Sequence, residues 1–148
     1  MTIIQTLAAR ELASTKTLWN AIEALVSAID ARNHSFGHSI RVAAYAVQIA
    51  KAIGYHTQTL EQIYLGALLH DIGQIYWPEE ILHEHKAPLT EDERKTIESH
   101  TYKGADLVTN WPELHFARPY ILYHQEWIDG SGGTQDVLWA SLLPNRDF

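Results

Sequence analysis

Apolar residues in this chain recur at helical spacing and nowhere alternate as strands require, which confines the fold to an all-α bundle. Leu18, Ile22, Leu25 and Ile29 mark one face of an amphipathic helix that should end near Asn33. Residues 1–15 read as an N-terminal extension or the start of that helix. A second helix is expected from about His38 to Ile53, with Ile40, Ala43, Ala44, Val47 and Ala50 on one face and Gly54 as its stop. A third, roughly Gln58 to His70, is apolar at Leu60, Ile63, Tyr64, Ala67 and Leu68. Between Pro78 and Pro88 a short helical turn is expected at Glu79 to Leu82. Thr90 and Glu93 then have capping-box spacing, opening a helix that should run through Ile97 and His100 to about Val108. Another should span Pro119 to Trp127, before a break at Gly130 to Gly133 and a last apolar stretch from Val137 to Leu143. The sum is about five to seven helices in one domain covering residues 1–148.

A chain of 148 residues buries roughly two thirds of its unfolded surface and needs no covalent staple. None is present: the sequence has no cysteine, so any metal must be held by nitrogen and oxygen. The formal charge of −7 argues against duplex nucleic acid as a partner, because that binding is carried by basic residues. No apolar run approaches the ~20 residues needed to span a bilayer. Met1 to Gln5 lack the basic start of an export signal, so no membrane association and a cytoplasmic location are expected.

The chemistry centres on His70-Asp71, an imidazole followed at once by a carboxylate. His38, His100 and His124 lie on three other expected helices, so four imidazoles and Asp71 could converge in a bundle. Such ligands suit a divalent ion, and a carboxylate can bridge two because it has two oxygens. Asp71 is the candidate bridge and the candidate catalytic residue, with His38 and His70 on one side and His100 and His124 on the other. A two-metal site of this kind suits phosphoester hydrolysis, in which the ions activate a shared water and Asp71 serves a structural and electrostatic role. Taken singly, a helical histidine is more often a packed or surface residue. The nine histidines therefore need motif context. His56, His83, His85 and His115 read as solvated, and His34 as an extra ligand only if it shares a helix with His38.

That context is a resemblance. The order His38, His70-Asp71, His100, His124 resembles the HD superfamily of metal-dependent phosphohydrolases, and within it the HD-GYP branch. Matching stretches include Gly37-His38-Ser39 with Arg41-Val42, Leu69 to Gly73, Pro78 to Leu82, Leu89-Thr90 with Glu93, His100 with Gly104, and His124, Glu126 and Asp129 to Gly132. They cover roughly residues 17–135. The resemblance implies an HD-type helical bundle holding two metals, usually iron or manganese. It assigns His38, His70 and Asp71 to one ion, and Asp71, His100 and His124 to the other. The implied activity is a phosphodiesterase acting on cyclic di-GMP or a related nucleotide, with signalling proteins as candidate partners.

Several positions depart from that pattern. Gln74 stands where the family has a lysine, and Gln125 where it has the second of two histidines. Gly132-Gly133-Thr134 replaces the Gly-Tyr-Pro triplet. The family continues into a further helix with another metal-binding aspartate, for which Asp147 is the nearest stand-in, although Pro144 argues against a continuous helix there. These departures keep open an alternative, a catalytically degenerate signalling or interaction module that still binds metal. Of the other conspicuous residues, most of the five tryptophans read as core, Glu126 as a surface carboxylate, and Glu91 to Lys95 as a solvated helix face.

Overall fold

A computed structural model of the chain describes residues 3–82, 88–127 and 129, with side chains from residue 16 onward. His83, His85, the Gly130 to Thr134 segment, the Val137 to Leu143 stretch, Trp139, Pro144 and Asp147 fall outside the described residues. Within them the chain forms helices only: α1 (Ile3–Arg32), α2 (His38–Ala52), α3 (Thr57–Leu69), α4 (Glu79–Leu82), α5 (Glu91–Glu98), α6 (His100–Thr109) and α7 (Arg118–Tyr123). Short 3-10 turns at Ile72–Tyr76 and Pro112–Ala117, neither foreseen from periodicity, connect them. The expected N-terminal segment is part of α1.

α2 packs on α3, α6 packs on α7 and on the Ile72–Tyr76 turn, and α1 lies across α2, α3 and that turn. The shared core contains Ile22, Val26 and Ile29 of α1, Ala43 of α2, Leu65, Leu68 and Leu69 of α3, Ala105 and Val108 of α6, and Ile121 and Leu122 of α7. Leu68 and Ile121 are fully buried, and burial of such a side chain contributes about 1.5–3 kcal/mol.

The expected faces of the first two helices are rotated. On α1 the expected Ile22 and Ile29 are buried, but Leu18 and Leu25 are exposed, and Val26 and Asp30 are inside in their place. On α2, Ile40 and Ala44 are exposed while Ser39, Ala43 and Ala50 are inside. Both helices present two overlapping apolar stripes, and the packing uses the one that also carries a buried polar residue. Gly54 does stop α2: its φ is 93°, its amide bonds the Lys51 carbonyl at 3.1 Å, and the Tyr55 amide bonds Ala50 at 3.0 Å. That pair of bonds is a Schellman cap.

The capping box at α5 is present, with the Glu93 amide donating to Thr90 Oγ1 at 3.3 Å and the Thr90 amide to Glu93 Oε2 at 2.7 Å. The expected continuous helix from there to Val108 is instead two helices, parted at Ser99. Ser99 Oγ, His100 Nδ1 and Thr101 Oγ1 bond the carbonyls of Thr96, Ile97 and Glu98 at 2.7, 2.6 and 3.2 Å. Three successive side chains thus compete for carbonyls that a continuous helix reserves for its own amides. The expected helix from Pro119 to Trp127 is shorter than foreseen and ends at Tyr123.

Candidate metal centre

Four histidines reach one point because each lies at a helix end. His38 is the first residue of α2 and His100 the first of α6, while His70 and His124 follow the last residues of α3 and α7. Asp71 begins the turn after α3, and Gly73, two residues on, allows that turn to touch α6. A Cβ on Gly73 would stand 1.9 Å from the His100 carbonyl oxygen and 2.7 Å from the Gly104 amide nitrogen. Only a hydrogen at position 73 permits this approach, which carries Asp71 to His100.

The two Asp71 oxygens divide the histidines between them. His70 Nε2 and His38 Nε2 lie 3.0 and 3.4 Å from Oδ2, and His100 Nε2 and His124 Nε2 lie 3.3 and 3.4 Å from Oδ1. Within each pair the Nε2 atoms are close, 3.3 Å for His38 and His70 and 3.1 Å for His100 and His124. His70, Asp71 and His100 are buried, whereas the His38 side chain is 40% exposed and opens the cluster to solvent. Trp77 sets its ring edge-on to His100, with centroids 5.6 Å apart.

The outward nitrogens settle what the inward ones can do. Nδ1 of His70, His100 and His124 lies 2.7, 2.6 and 2.9 Å from the carbonyls of Ala67, Ile97 and Ile121. A carbonyl oxygen only accepts, so each Nδ1 carries the proton and, in the neutral ring, each Nε2 turns a lone pair inward. Lone pairs therefore face one another and face a carboxylate. Such a cluster is repulsive until cations enter it, either protons on Nε2 or a metal ion. The donors, borderline imidazole nitrogen and hard carboxylate oxygen, fit a divalent ion of the first transition row. His38, His70 and Asp71 form one triad that could hold an ion, and Asp71, His100 and His124 a second, with the candidate ligand atoms of each triad within 4.8 Å of one another.

Charge follows the same geometry. Burial alone would raise the Asp71 pKa, but hydrogen bonds with His100, His124 and His70 outweigh it and hold the carboxyl far below the usual range. Burial alone would lower the His70 pKa, yet the bond to Asp71 and its charge reverse that and leave the imidazole above its ordinary value. Protons and divalent cations thus compete for the same lone pairs.

The five expected site residues all meet here. His34 does not: it is exposed, lies in a turn at φ 57°, and α2 starts only at His38. His56 and His115 are exposed, as expected. Gln125 is exposed and belongs to neither triad, while Gln74 accepts a short hydrogen bond from Asn33. Glu126 is buried rather than at the surface, and of the five tryptophans, most of which were expected in the core, Trp111 and Trp127 are exposed. Sequence reasoning passed over Asp30 and gave Ser39 no role beyond a matching stretch; the two are both 2% exposed and bonded to each other beside His38. The available signal was a lone carboxylate on the stripe of Val26 and Ile29. Beside the centre, an apolar cleft of about 690 Å³ reaches His70 and His124 between Ile49 of α2, Ile53 just after it, Ile63 of α3, and Tyr120 and Tyr123 of α7.

An all-α bundle with a His-Asp pair and three further histidines at its helix ends is the arrangement of an HD-type domain. The family model described as HD domain matches residues 20–142, and the chain belongs to that family. Among curated proteins, it is similar to the 3′3′-cGAMP-specific phosphodiesterase 1 of Vibrio cholerae, 31% identical over 133 residues that cover 82% of this chain and 28% of the relative. A cyclic di-GMP phosphodiesterase of Pseudomonas aeruginosa is 28% identical over 114 residues, covering 76% of this chain and 27% of the relative. A cyclic di-GMP phosphodiesterase of Thermotoga maritima is 34% identical over 97 residues, 64% of this chain and 26% of the relative. The chain spans about a quarter of the length of these relatives.

Proposed function

We propose that this chain is a metal-dependent phosphodiesterase domain that opens a cyclic dinucleotide, with cyclic di-GMP and 3′3′-cGAMP as candidate substrates. The observation that carries the reading is the convergence of four imidazole Nε2 atoms on the two oxygens of Asp71. In this reading His38, His70 and Asp71 hold one ion, Asp71, His100 and His124 hold the other, and the ions are iron or manganese. When bound, such a pair supplies water activation and charge neutralisation at a phosphoester. Asp71 keeps two sites at a fixed separation through its two oxygens, one facing each histidine pair. The Nδ1–H bonds of His70, His100 and His124 hold the rings so that Nε2 faces inward without reorganisation. The exposed His38 side marks the open face through which a phosphoester approaches. Residues 1–148 act as one domain in this reading, and it works in the cytoplasm. Among the described residues no helix is long and apolar enough to cross a membrane.

A second reading, a metal-binding module without catalysis, is favoured by Gln74. Its side chain is a neutral amide whose oxygen is taken by Asn33. One experiment separates the two: turnover of cyclic di-GMP, 3′3′-cGAMP and an aryl phosphodiester after loading with iron or manganese. Hydrolysis abolished by Asp71→Asn supports the enzyme, and bound metal without turnover of any of the three supports the module.

A further inference from the structure

Three of the four clustered histidines are oriented by a carbonyl three residues back, and His38 is not. As the first residue of α2 it has no preceding helical turn to supply one, and among the described residues its Nδ1 has no such bond. Its side chain is also the most exposed of the four. Something other than its own helix must fix where it points.

Asp30 is placed to do so. It lies on the inner face of α1 at 2% exposure, and its two oxygens accept from the Ser39 amide at 2.9 Å and the Ser39 hydroxyl at 2.8 Å. Ser39 is also 2% exposed and is the residue immediately after His38. The intervening loop closes on the same point. The Asp30 carbonyl accepts from the Ser35 amide at 2.8 Å, and the Ser35 carbonyl from the His38 amide at 2.8 Å. The backbone on both sides of His38 is therefore tied to Asp30.

The charge of Asp30 needs an account as well. A buried carboxylate is costly unless positive charge offsets it, and among the described residues Asp30 makes no ion pair with a lysine or arginine. The amino end of α2 offsets part of it.

We propose that Asp30 is a positioning residue for the first ion: through Ser39 it fixes the backbone from which His38 reaches Asp71, and with it the geometry in which that triad takes a divalent cation. The inference rests on the two-ion reading above. It concerns one of the two sites only, which makes it separable from a general role in stability.

The test is calorimetric titration of the metal-free full chain with Mn2+, comparing wild type, Asp30→Asn and Ser39→Ala, with circular dichroism to check folding. Wild type takes up two ions. Asp30→Asn keeps one site at wild-type affinity and weakens the other by about 10–100-fold, the usual effect of removing an outer partner of a metal ligand. Ser39→Ala, which retains the amide donor, weakens the same site by less. If both sites of the variants stay within two-fold of wild type, or weaken equally, the inference is overturned while the two-ion reading stands. If wild type takes up no ion, the reading itself fails. Should Asp30→Asn not fold, Ser39→Ala carries the same comparison alone.

Discussion

A Cβ on Gly73 would lie 1.9 Å from the carbonyl oxygen of His100, so the turn after Asp71 and the first turn of α6 are in backbone contact. Gly73→Ala must push these two segments apart. Overpacking of this kind costs about 1–3 kcal/mol, and here the obstructing atom is backbone and cannot rotate away. Urea denaturation of the metal-free chain should show a loss of at least that size. Gly104→Ala should cost less, because its nearest neighbours, Ile121 Cγ2 at 2.9 Å and the Gly73 amide nitrogen at 3.0 Å, stand about an ångström farther off than the carbonyl oxygen facing Gly73 at 1.9 Å. Equal stability of Gly73→Ala and wild type would contradict the contact.

Asp71 offers one oxygen to each histidine pair, so its replacement should remove both ions and not one. Asp71→Asn is expected to bring metal content from two ions per chain to none. His100→Ala should leave the triad of His38, His70 and Asp71 able to take one. Elemental analysis after loading and desalting reads both outcomes. Retention of an ion by Asp71→Asn would count against a bridging role.

The metal-free and loaded chains should respond to pH in opposite senses. His70 has a folded pKa above its unfolded value of about 6.5, because of Asp71. Its contribution to the metal-free fold is therefore fully present below about pH 6.5 and is lost as pH rises through the folded value. Metal needs the same nitrogen unprotonated, so the rise in melting temperature on adding Mn2+ should grow over that window. Thermal melts at pH 6 and pH 8.5, with and without the ion, test this. A metal-induced shift that is the same at both values would rule it out.

Thr90 and Glu93 cap α5 well away from the triads. Thr90→Ala should cost about 1 kcal/mol in a denaturant melt, as loss of an N-cap usually does. Mn2+ affinity should be unchanged. A loss of affinity would mean that the start of α5 is coupled to His100 through the break at Ser99.

The residues that meet at the centre were legible in the sequence, and the way the helices face the core was only partly so. Chemistry offered His38, His70, Asp71, His100 and His124 as candidates, and their order within the stretches that resemble the HD superfamily set them apart from the other histidines. The helices of α1 and α2 were found because periodicity reports their existence. Their orientation was misjudged because Leu18, Leu25, Ile40 and Ala44 complete an apolar stripe as plausible as the one used. What decided between the stripes was tertiary, namely the pairing of Asp30 with Ser39. The break at Ser99 was hidden for a related reason: Ser99, His100 and Thr101 are tolerable helix residues, and only their bonds to Thr96, Ile97 and Glu98 part the helix. The two 3-10 turns are too short to show a period.

The four histidines stand at one end each of α2, α3, α6 and α7, so the far end of each of these helices carries none of the candidate ligands. Substitutions at Ala52, Thr57, Thr109 or Arg118, all of them exposed, alter the outer surface of the bundle without touching a ligand. A family built this way can diversify its exterior, and with it what docks there, while the chemistry at the hub stays fixed.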